Sequence, residues 1–154
     1  MTPLLAVLDT NVLVSALILP TRLPAQLLRH ALAREFVLIL SEAILTELAQ
    51  VLARPKMAHH YGMTPERAQE FIGLLREVSR IVPGNVSVQA VPGDAKDDHV
   101  VACAVEGEAG VIVSGDEHLK SMGQYQSIHI LSPAQFLGLL QEALGETKGQ
   151  ESLL

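Results

Sequence analysis

Leu4-Leu5-Ala6-Val7-Leu8-Asp9-Thr10-Asn11 is the stretch that decides the fold. Its unbroken apolar run reads as a strand buried on both faces, the kind that belongs to a parallel sheet covered by helices. The run ends abruptly on a carboxylate followed by two small polar residues. In open parallel sheets ligands gather outside the carboxyl ends of the strands, so Asp9 stands where chemistry is expected.

Outward from that strand, apolar strands and helical patterns alternate. Asn11 to Leu19 reads as a short helix stopped by Pro20, and Leu23 to Arg34 carries apolar residues at helical spacing. Phe36 to Leu40 is a second strand, and Ser41 is the N-cap of a helix over Glu42 to Ala53. Pro55 ends that helix or follows its end. Thr64-Pro65-Glu66 opens a further helix to Ser79, since proline is favoured at the first helical position, and Arg80 to Val82 is a third strand. Asn85 to Val91 alternates polar and apolar residues and reads either as a loop or as an extra edge strand. Asp94 to Glu106 is a helix with an acidic first turn, Val111 to Val113 a fourth strand and Ile128 to Leu131 a fifth. Ser132-Pro133 caps a last helix reaching Leu144. The reading is an α/β fold with a central parallel sheet of four to five strands. It forms one domain over residues 1–144, followed by a polar tail, 145–154, expected to be flexible.

The bulk numbers agree with a single folded domain. The chain has 154 residues, 49% of them hydrophobic and 18% charged, far from the composition of disorder. Its formal charge is -6, with 17 acidic against 11 basic residues, which excludes a basic coat for nucleic acid. It does not exclude a nuclease, because metal-bound carboxylates contribute to that charge and the ions offset it. The lone Cys103 has no partner for an internal disulfide and falls in an apolar helical run, where a buried, inert thiol is expected. Leu4 to Leu8 lacks the basic flank and small-residue cleavage site of a signal peptide, and no apolar stretch reaches bilayer length. A cytoplasmic protein without membrane contact is the expectation.

The acidic residues carry the chemistry. Asp9 follows the first strand and Asp116 follows the fourth after Val-Ser-Gly, while Asp94, Asp97 and Asp98 open the helix that leads into the fourth strand. Neighbouring strand ends lie about 5 Å apart, so carboxylates at two such ends can share one ion. Glu47 borders the buried side of the helix after strand two and can complete the group. Each acid alone also has a structural reading, as an N-cap or as a charge at the positive end of a helix dipole. Together at one edge, they repel one another unless a cation or proton joins them. Oxygen donors without Cys or His at ligand spacing point to Mg²⁺ or Mn²⁺.

With those residues in place, the chain resembles the PIN-domain family of nucleases, particularly small prokaryotic members that act as toxins of toxin–antitoxin pairs. The resemblance runs from Leu4 to Leu140. Its anchors are Asp9-Thr10-Asn11 with Ser15; Ser41 through Thr46-Glu47; Asp94-Ala-Lys-Asp97-Asp98-His-Val-Val-Ala-Cys-Ala; and Ser114-Gly115-Asp116. It implies a three-layer α/β/α PIN-like fold and a metal-dependent ribonuclease in which Asp9, Glu47, Asp97 and Asp116 bind the metal. Asp97 is preferred over Asp98 because Ala102 and Ala104 then take the family's small positions, and Asp94 is a more peripheral acid. Asn11 and Ser114 correspond to polar positions that hydrogen-bond the acids, and Asp98 is a stand-in for Asp97. The resemblance also implies an RNA substrate, a homodimer and a cognate antitoxin whose segment covers the site.

Ser114 stands where threonine is frequent in the family, which keeps the hydroxyl. Few basic residues are available to grip RNA; Arg22, Arg54, Lys56 and Lys120 are the candidates. His59 and His60, beside Tyr61, are read as surface-loop residues outside the site. An aspartyl-phosphate phosphatase requires Asp-x-Asp after the first strand, where this chain has Asp9-Thr10-Asn11. A receiver domain requires a lysine after the last strand, where Leu131-Ser132-Pro133 stands. The remaining alternative is a non-catalytic module that uses the same acidic edge to hold a basic partner.

Overall fold

The computed structural model describes residues 3–89 and 97–152, with the side chains of 146–152 outside the description. The strands are β1 (Leu5–Leu8), β2 (Val37–Ser41), β3 (Arg80–Val82), β4 (Val111–Val113), β5 (Gln124–Tyr125) and β6 (Ile128–Leu131). The helices are α1 (Thr10–Ile18), α2 (Leu23–Leu32), α3 (Glu42–Leu52), α4 (Pro55–Tyr61), α5 (Pro65–Val78), α6 (Asp98–Glu106), α7 (Glu117–Met122) and α8 (Pro133–Ser152). The sheet order is β3-β2-β1-β4-β6-β5, parallel throughout except for the β5–β6 pair. Helices flank the sheet in a three-layer α/β/α arrangement.

β1 is central, with Val7 in register with Ile39 on one side and Ile112 on the other. Ala6, Val7 and Leu8 have no exposed surface, which explains why the decisive stretch is continuously apolar rather than alternating. Burial of each such aliphatic side chain is worth about 1.5–3 kcal/mol, so the core around β1 anchors everything built on its end. The chain winds from β1 outward to β2 and β3, then returns through α6 to β4 on the opposite side of β1. That reversal makes the ends of β1 and β4 a topological switch point, the place in an open parallel sheet where ligands are generally bound.

α6 is seated by Gly107, its C-terminal cap: a Cβ there would run into the Ile39 side chain, and Val82 Cγ1 would lie 3.3 Å away. Glu106 accepts hydrogen bonds from the Gly84 and Asn85 backbone N–H groups at 3.0 and 3.1 Å, tying the turn after β3 to the same helix. α8 packs on α2 and β6, and its Phe136 meets Phe36 edge-on at 5.1 Å between ring centroids.

Several elements differ from the sequence reading. Pro55 opens α4, so His59 and His60 lie on a helix rather than in a loop; they remain exposed. Pro55 both follows the end of α3 at Leu52, as expected, and takes the first position of α4, whose Met57 is buried. The two-residue β5 adds an antiparallel edge and makes six strands where four to five are expected. Asn85 to Gln89 form no strand, while the rest of that stretch and Asp94 lie outside the described residues. α6 begins at Asp98, with Asp97 as its cap. α8 continues beyond Leu144 to Ser152 through Gly145 and Gly149, each costing a helix only about 1 kcal/mol. Among the described residues no single helix is long and apolar enough to cross a membrane.

Candidate metal centre

Asp9 sits at the switch point with 4% of its surface exposed. The Thr10 backbone N–H donates to its Oδ1 at 2.7 Å, and the Ser114 hydroxyl donates to its Oδ2 at 2.8 Å. The Asp9 backbone N–H itself bonds Val113 O at 3.0 Å, so the residue is held by both strands that meet there. Burial pushes the Asp9 carboxyl above its ordinary value of 3.8; the bonds from Ser114 and Thr10 oppose this, and the charges of Glu47 and Asp116 push it further up. The structure therefore brings Glu47 and Asp116 each within electrostatic reach of Asp9.

Ser114, fully buried, links two of the acids: its Oγ donates to Asp9 and accepts from the Asp116 backbone N–H at 2.9 Å. Asp116 is also the N-cap of α7, its Oδ1 accepting from the His118 and Leu119 N–H groups at 2.8 and 3.1 Å. Asp9 and Asp116 are thus both caps and members of the acidic edge; the structural and chemical readings coincide.

Glu47 lies on α3, half-exposed, and pairs through Oε2 with His99 Nε2 at 2.9 Å. Asp97 and Asp98, both half-buried, stand at the start of α6 just before His99. A cavity of about 490 Å³ opens beside this pair, lined in part by Ser41, Pro83, Val88, Asp98, His99 and Cys103. Asn11 is exposed, and Asp9 takes its side-chain hydrogen bonds from Thr10 and Ser114 instead. Arg22, Arg54 and Lys56 are exposed, and Lys120 pairs with Glu117 at 3.2 Å.

His99 is the residue that sequence reasoning overlooked. Its only signal is its place directly after Asp97-Asp98, and nothing in the helical period distinguishes it from a solvated residue. The carboxylates border one edge without closing on a point: among the described residues no three His, Cys, Asp or Glu side chains are arranged to hold one ion. The donor chemistry nevertheless fits a hard divalent cation. A buried carboxylate with two further acids in reach carries a repulsion that such an ion relieves, and the acids offer only oxygen.

The fold and its edge define a class: a three-layer α/β/α domain with acids gathered at the carboxyl ends of adjacent parallel strands. The PIN domain family model matches residues 6–118. The chain is 31% identical over 116 residues to the uncharacterized protein MJ1680 of Methanocaldococcus jannaschii, an alignment covering 75% of this chain and 73% of that protein. Among solved structures it is similar to VapBC2 from Rickettsia felis, crystallised bound to a DNA fragment from their promoter. That likeness has a TM-score of 0.58 and 14% identity, covers 84% of this chain and 98% of that one, and is one of fold. The chain belongs to the PIN-domain family.

Proposed function

We propose that this protein is a Mg²⁺- or Mn²⁺-dependent endoribonuclease, the toxin of a toxin–antitoxin pair, with its nuclease domain in residues 1–144. The observation that carries the reading is Asp9: a carboxylate buried at the switch point, oriented by Ser114 and Thr10, with the charges of Glu47 and Asp116 raising its proton affinity. Such an arrangement costs stability unless a cation shares it.

Asp9 and Asp116 would hold the ion, with Glu47 and Asp97 orienting the attacking water or a second ion. Bound there, a divalent ion supplies polarisation of the scissile phosphate and stabilisation of the leaving oxygen. Ser114 fixes the orientation of the buried Asp9 carboxylate and ties the Asp116 backbone to it. Hydrolysis leaves a 3′-hydroxyl and a 5′-phosphate, as the family resemblance implies. The cavity beside His99 offers room for a nucleotide flanking the scissile bond. The partners in this reading are an RNA substrate, a second copy of the chain in a homodimer, and an antitoxin whose basic segment covers the acids in a cytoplasmic complex.

The test is cleavage of a labelled, structured RNA pool by the purified protein with Mg²⁺ or Mn²⁺, against EDTA and an Asp9→Asn control. Metal-dependent cuts that vanish in the variant are expected; cuts retained by Asp9→Asn would sink the assignment. That the acids do not close on one point among the described residues favours a second reading, a non-catalytic module holding a basic partner. Absence of cleavage under either metal, with retained binding of a basic peptide, would establish it.

A further inference from the structure

We propose that His99 is a positioning residue for Glu47, donating from Nε2 to Oε2 so that Oε1 is presented to the metal. The inference rests on the metal reading of Glu47 given above. Glu47 is half-exposed on α3, and a free glutamate there would sample many rotamers. The 2.9 Å contact with His99 holds one carboxylate oxygen and leaves the other for an ion or its water. The contact also joins α3 to the first turn of α6, the turn that follows Asp97, so it couples two of the proposed ligand positions.

A second observation separates this role from simple packing. The other ring nitrogen, Nδ1, is buried without a hydrogen-bond partner among the described residues. A desolvated nitrogen with no partner costs stability, so the imidazole is a poor choice if the fold alone is served. With Nε2–H directed at the carboxylate, Nδ1 carries the lone pair, which sets the tautomer. The ring's contribution is therefore at Glu47. Partners that orient a metal-binding side chain in this way are worth roughly tenfold or more in metal affinity.

Calorimetric titration of Mn²⁺ into the purified protein and its His99→Leu, His99→Gln and His99→Asn variants tests the role, with thermal unfolding recorded in the absence of metal. Gln places an amide N–H near the position of Nε2, whereas the shorter Asn reaches only the Nδ1 position. The expected result is Mn²⁺ affinity weakened about tenfold or more in His99→Leu and His99→Asn, and largely restored in His99→Gln. Unchanged or tighter binding in His99→Leu or His99→Asn overturns the proposal, even if their melting temperatures fall. Failure of His99→Gln to rescue binding also overturns it, because the ring would then be acting as a ligand itself. No Mn²⁺ binding by the unmodified protein would overturn the metal reading along with this inference; normal binding that ignores His99 overturns this inference alone.

Discussion

The Ser114 hydroxyl donates to Oδ2 of Asp9 at 2.8 Å, joining the end of β4 to the end of β1 between residues 105 positions apart. Both groups are buried, so the bond is made away from water, and it opposes the rise in the Asp9 pKa that burial causes.

Ser114→Ala removes that donor and leaves the Asp9 oxygen buried without it. Unfolding in urea is expected to show a loss of about 1–3 kcal/mol. Because the Ser114 bond lowers the Asp9 pKa, the variant's carboxyl rises further, and the acid limb of the pH–rate profile moves to higher pH. An unmoved limb would show that Asp9 ionisation does not control the rate.

Asp9 also sets a pH dependence of stability. Its folded pKa lies above the ordinary 3.8, so the folded state binds the proton more tightly than the unfolded chain. Stability from this group is fully present below 3.8 and is lost as pH rises through the folded value. Without divalent ions, Asp9→Asn is expected to equal or exceed the parent protein in melting temperature at neutral pH, with that advantage disappearing in acid. Added Mg²⁺ should stabilise the parent and not the variant; equal metal stabilisation of both would remove Asp9 from the metal site.

Gly107→Ala drives a methyl group into Ile39 and toward Val82 under the C-terminus of α6. A loss of about 1–3 kcal/mol is expected from such overpacking, measured by denaturant titration. α6 also carries Asp98 and His99, so metal affinity should fall in the same variant. A neutral substitution would mean that α6 shifts freely on the sheet.

Burial pushes the Cys103 thiol up to about 12, with a smaller opposing effect from its hydrogen bond to Ser41. At neutral pH the native protein is expected to react with a thiol reagent only as fast as it opens, and rapidly once unfolded in urea. Prompt labelling of the native state would show that the cavity wall opens around Cys103.

Much of this molecule was legible from local pattern. β1, β2 and β4 announce themselves because strands buried on both faces must be apolar through their buried length, and the Ser41 and Thr64 caps are seen bonding the N–H groups of Ile44 and Arg67. β5 was not legible, since two residues, Gln124 and Tyr125, are too few to show a period and pair only because β6 is beside them. α4 was hidden behind Pro55, whose local chemistry suits either side of a helix boundary. Which side chains and N–H groups orient Asp9 was not legible either: Asn11 is exposed on the first turn of α1, and the bonds to the Asp9 carboxylate come from the Thr10 N–H and the Ser114 hydroxyl.

By itself the sequence determined the alternation of strands and helices and the placing of Asp9 and Asp116 just beyond strand ends. Those features follow from burial and capping, which act within a few residues of chain. Only the tertiary structure decided that β1 lies between β2 and β4, that Ser114 reaches Asp9, and that His99 meets Glu47 across 52 positions of sequence. Pairings of that kind depend on which strands share a hydrogen-bond ladder and which helices pack together, and no local period records that choice.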